Sequence, residues 1–126
     1  MTMHDAHWSL LRDVANEETA RLIGRIPPQI RTKIQDIPII FEKNPSPALV
    51  ADGVDPDVMG LFVGDDFPHE LMDPMPTEIF LFLFNIWAEA DAQMPVFRRE
   101  VRKTLLHEWG HYLGLDENEL DERDLA

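Results

Sequence analysis

The chain has 126 residues, 44% of them hydrophobic, no cysteine, and 24 acidic against 11 basic residues for a formal net charge of −13. That length holds one compact domain, residues 1–126, and the missing cysteines exclude disulfides, thiolate metal ligands and cysteine nucleophiles. The acidic surface argues against nucleic acid, and without an apolar run of about 18 residues or a basic-then-apolar leader the expectation is a soluble, cytoplasmic monomer that makes no membrane contact.

In chain order, Leu11, Val14, Ala15, Leu22, Ile23 and Ile26 recur at helical spacing and predict a helix over residues 9–25, stopped by Pro27-Pro28. A polar stretch with room for another helical turn follows. Residues 38–41, β-branched and aromatic, read as a short strand that ends at the turn-rich Asn44-Pro45-Ser46-Pro47. Residues 59–64 form a second brief apolar run between acidic loops, and residues 65–76, with their prolines and acids, read as a surface loop. The nearly continuous apolar run 79–87, broken by Asn85, reads as the main strand of a small sheet covered on both faces.

The last element is predicted to begin near Pro95 and to run as a helix to about Leu113. It carries His107-Glu108-Trp109-Gly110-His111, followed by Gly114 and Glu117. Imidazoles four residues apart on a helix project from one face and can grip one metal ion. At about 100° per residue, Val101, Leu105, Leu106, Trp109 and Leu113 fall on one apolar arc, with His107 and His111 opposite it, beside Glu100 and Thr104. A polar pair turned away from the core is free to line a cleft.

A hydrolytic zinc site commonly takes three protein ligands and keeps a fourth position for water. Gly114 can end the helix and turn the chain so that Glu117 reaches the metal as third ligand; Asp116 is chemically equivalent, and His69 is an outside candidate. Such a site acidifies its bound water towards a pKa of about 7, and Glu108 is placed to accept the proton. Tyr112 lies close to the apolar arc, which favours packing over an oxyanion role. His4 and His7, near the terminus, are expected to be solvated rather than ligating. Most acids after Glu117, among them Glu119, Asp121, Glu122 and Asp124, read as a solvated face. Either strand 59–64 or 79–87 presents an edge on which an extended peptide can pair.

The segment HEWGHYLGLDENEL closely resembles the zinc motif of the minimal zincin family, short bacterial zinc-metallopeptidase-like proteins. The likeness extends through IPPQIRTKIQDIPIIFEKNPSP, MGLFVG and PTEIFLFLF, although the zinc motif alone is specific. The resemblance implies a compact α+β zincin-like fold, with a small mixed sheet packed against helices that include the motif helix. It further implies one zinc ion held by His107, His111 and Glu117, Glu108 as catalytic base, and a peptide or protein substrate. The acidic third position and the short tail after it depart from the metzincin pattern, which argues against metzincin specificity. A deformylase would need a cysteine ligand that the chain lacks. A zinc-dependent peptidase of narrow specificity ranks first, ahead of a non-catalytic zinc-containing binding or regulatory module and of a metal-free acidic interaction domain.

Overall fold

The first apolar stripe forms α1 (Met3–Arg25) in the computed structural model, which describes residues 3–64 and 77–114. Leu11, Ala15 and Leu22 are buried at helical spacing, and the helix starts before residue 9, ahead of the expected boundary. Pro28 then occupies the first turn of α2 (Pro28–Ile34), where its missing N–H costs nothing. The Arg31 guanidinium donates back to the Ile26 carbonyl at 2.8 Å, closing the corner between α1 and α2.

Three strands make the sheet of the described residues: β1 (Ile39–Glu42), β2 (Gly60–Val63) and β3 (Glu78–Phe82), in the order β1-β3-β2. β1 runs parallel to β3, with Ile39 opposite Ile79, and β2 runs antiparallel to it, with Gly60 opposite Leu81. The sheet is therefore mixed, and β2 is an edge strand on the side away from β1. Between β1 and β2 the chain makes α3 (Pro47–Ala51), in which the Ser46 hydroxyl accepts the Leu49 N–H at 3.2 Å. The turn residues 44–47 thus lead into a capped helical turn.

The run 79–87 is not one strand. It changes from β3 to α4 (Leu83–Glu89) without an intervening loop. A continuous apolar run carries no periodicity with which to separate buried strand from buried helix. Here Leu83, Ile86 and Ala90 recur at helical spacing and are buried, while the polar Asn85 turns outwards to bind backbone carbonyls. The loop expected over 65–76 lies outside the described residues.

α5 (Met94–Leu113) crosses the molecule, packing against α1, α4 and the sheet. Phe97, Val101, Leu105, Leu106 and Trp109 are buried, in the phase expected, and Gly114 closes the helix in the left-handed conformation with φ 74°. A charged contact joins α1 to α5 inside the apolar one. Glu18 is 1% exposed and accepts from Arg98 at 2.8 Å and Arg102 at 2.9 Å. Burial pushes its carboxyl up, but the hydrogen bonds from Arg98 and Arg102, with the charges of Arg102 and Arg21, outweigh that and hold it below its ordinary range. No helix of the described residues is long and apolar enough to cross a membrane.

Candidate metal centre and cleft

His107 and His111 lie on the solvent-exposed side of α5, one helical turn apart, whereas Glu108 is 5% exposed and faces the sheet. β2 comes very close to the helix here. A Cβ on Gly60 would stand 2.7 Å from the Thr104 methyl carbon Cγ2 and 3.3 Å from Glu108 Cγ, so the absence of a side chain at residue 60 sets the spacing. Two residues along the strand, the Phe62 ring lies 5.6 Å from the His111 ring and 5.8 Å from that of Tyr112. Tyr112 is buried among these rings, the packing role expected of it.

Glu108 is an unusual group to find in such a place. Its Oε2 is buried with no hydrogen-bond partner among the described residues, and burial pushes its carboxyl above the usual range against the opposing pull of His107 and His111. An orphaned buried acceptor costs about 1–3 kcal/mol, so it calls for a functional explanation. Beside it opens a cleft of about 350 Å³. Val58, Met59 and Gly60 form one wall; Glu100, Lys103 and Thr104 continue the other from His107 and Glu108. The first wall is pinned from behind, because the Asn85 amide donates to the Pro56 and Val58 carbonyls, each at 2.8 Å, and accepts from Asn44 at 3.0 Å.

Gly60, Asn85 and Glu18 were not singled out as contributors from the sequence. Glu18 was the most accessible of them: it shares the phase of Leu11, Ala15 and Leu22, and Arg98 and Arg102 are spaced one turn apart. His7 differs from expectation. It is half-buried, stacked on Phe84 at 5.8 Å and edge-on to Trp87 at 5.2 Å, so aromatic packing holds it rather than water. Glu117, Asp116 and His69, the three residues considered for a third ligand, lie outside the described residues, as does the side chain of His4. Among the described residues no group of three histidines, aspartates or glutamates comes together to hold a metal.

The donors that are in place nonetheless suit a divalent ion such as zinc. Two exposed imidazoles share a helix face, and Glu108, between them in sequence, has an oxygen with no partner among the described residues. A paired-histidine helix beneath the edge of a small mixed sheet is the arrangement of a metallopeptidase-type α+β domain. A family model for zincin-like metallopeptidases matches residues 34–126, and the chain belongs to that family. The match begins at the last residue of α2 and leaves out α1. No curated protein matches the chain.

Proposed function

We propose that the protein is a zinc-dependent peptidase of narrow specificity in which His107, His111 and Glu117 hold one zinc ion and Glu108 is the catalytic base. The observation that carries this reading is the buried Oε2 of Glu108, without a partner among the described residues, beside a cleft that His107 also lines, with the exposed His111 one helical turn further on. A purely structural zinc module has no use for that carboxylate, which costs stability where it stands. When bound, zinc would acidify a water and polarise the scissile carbonyl.

The chain's own groups supply the rest. Glu108 takes the water proton at its unpartnered oxygen and returns it to the leaving amine. The edge of β2 that no described strand pairs offers backbone donors and acceptors along which an extended peptide can be held. The packing of α1 on α5, with Glu18 accepting from Arg98 and Arg102, supports reading α1 as part of the same domain. The test combines metal analysis of the purified protein with a comparison of cleaved peptides from a cell-derived library. Wild type is expected to carry one equivalent of zinc and to cut, and Glu108→Gln to keep the zinc and lose at least about 100-fold in rate. Cleavage that survives Glu108→Gln undiminished would refute the mechanism.

A further inference from the structure

The direction of β2 relative to α5 decides which part of a bound peptide enters the cleft, once the peptidase reading is granted. Gly60 abuts Thr104 and Glu108, and Phe62 abuts His111 and Tyr112. β2 and α5 therefore run side by side in the same direction. One edge of β2 is paired to β3, and no described strand pairs with the other. A peptide added to that edge in the antiparallel register, the more stable per residue, runs the opposite way. Its N-terminal half lies towards His111, and its C-terminal half passes His107 towards Thr104 and Glu100. A side chain that enters the cleft then lies after the scissile bond, on the side of the leaving amine.

The walls define what that side chain should be. Val58 and Met59 present apolar surface, and across from them the Glu100 side chain lines the cleft at 16% exposure. The Lys103 ammonium is its partner at 3.8 Å, but the Lys103 side chain is 65% exposed and held by no closer contact to that carboxylate. So loose a pair contributes little, and the lysine can swing into water at small cost. A side chain with a long aliphatic stem and a cationic tip matches both features: the stem lies along Met59 and Val58, and the tip reaches Glu100.

We propose that Glu100 makes this cleft select lysine or arginine after the scissile bond, on the leaving-amine side. The proposal rests on the peptidase reading and extends it to the substrate. Binding, not turnover, provides the test. Three peptide hydroxamates that anchor on zinc and differ in one side chain, lysine, norleucine or glutamate, placed on the leaving-amine side, are titrated calorimetrically into the zinc-loaded full chain. The lysine compound is expected to bind about tenfold tighter than the norleucine compound, and the glutamate compound weakest. Glu100→Gln should bring lysine and norleucine within about twofold while leaving norleucine affinity unchanged, which also controls for folding. Lys103→Ala, at an exposed position, should widen the preference for lysine. Equal binding of lysine and norleucine to wild type, tightest binding of glutamate, or a lysine preference that survives Glu100→Gln would overturn the proposal and leave the zinc site standing. Failure of all three hydroxamates to bind would overturn the peptidase reading and this proposal with it.

Discussion

Gly60 is the point at which the sheet and the motif helix can be pushed apart by a single atom. A Cβ there meets the Thr104 methyl carbon at 2.7 Å, short of an ordinary 3.4 Å contact by about 0.7 Å. Thr104 is 9% exposed, so its methyl has little room to move away and the strand must yield instead. Overpacking of this kind costs about 1–3 kcal/mol, and Gly60→Ala should lower the urea unfolding free energy by that amount. Thr104→Ser removes the clashing methyl and on its own should cost about 1 kcal/mol for the lost contact. In the double variant the new methyl fills the vacated space, so the two losses should not add, and a coupling of about 1–2 kcal/mol in favour of the pair is expected. Denaturation of the four proteins in parallel measures it. Additive losses would show that the close approach of β2 to Thr104 does not set the spacing of strand and helix.

The buried carboxylate on α1 gives a pH signature. Because the folded pKa of Glu18 is lowered, its contribution is present above the unfolded value near 4.5 and is lost as pH falls through the folded value. Glu18→Gln should cost about 3 kcal/mol at neutral pH and flatten the fall in stability on acidification below about pH 5; an acid limb as steep as that of wild type would count against the pairing. Ala92 sits at φ 58°, next to Asp91 at φ 57°, a conformation that costs a side-chain-bearing residue about 1–2 kcal/mol. Ala92→Gly should therefore raise stability by up to about 1 kcal/mol despite the entropy of glycine, and a loss would show that the turn is not strained. Stripping the purified protein with a chelator should lower its thermal midpoint, with zinc restoring it and His111→Ala abolishing the difference; an unchanged midpoint in wild type would argue against a bound metal.

What the sequence revealed and what it hid divide along physical lines. The phase of α5 was legible because its buried and exposed residues alternate over five turns, and Gly114 announces the end of the helix. The boundary at Phe82 was not legible, since apolar residues continue across it and burial on all sides erases the pattern that distinguishes strand from helix. Gly60 carries no local signal within the brief apolar run 59–64; its purpose lies in Thr104 and Glu108, more than forty positions away. Asn85 read as an interruption because the carbonyls it binds belong to the loop before β2. The histidine pair was visible as local spacing, whereas the cleft beside it exists only where two distant segments face each other.

Glu108 combines these constraints into a trade between stability and chemistry. The sheet side of α5 buries it, and neither β2 nor Thr104 supplies a donor to its Oε2. Its folded pKa is raised, so at pH values above the unfolded value near 4.5 the metal-free protein must either protonate the group or bury its charge, and stability is lost as pH rises from there. Glu108→Gln removes that charge while keeping the shape. In metal-free protein the substitution should gain about 1 kcal/mol at neutral pH and nothing below about pH 4, a difference that denaturation at the two pH values resolves. With zinc present the balance reverses, because the cation favours the ionised carboxylate and offsets its burial. A variant that is more stable without metal and inactive with it is the expected mark of a residue kept for its reaction. Equal stability of the two proteins at neutral pH would mean that Glu108 finds a partner in solution and that its burial needs no catalytic explanation.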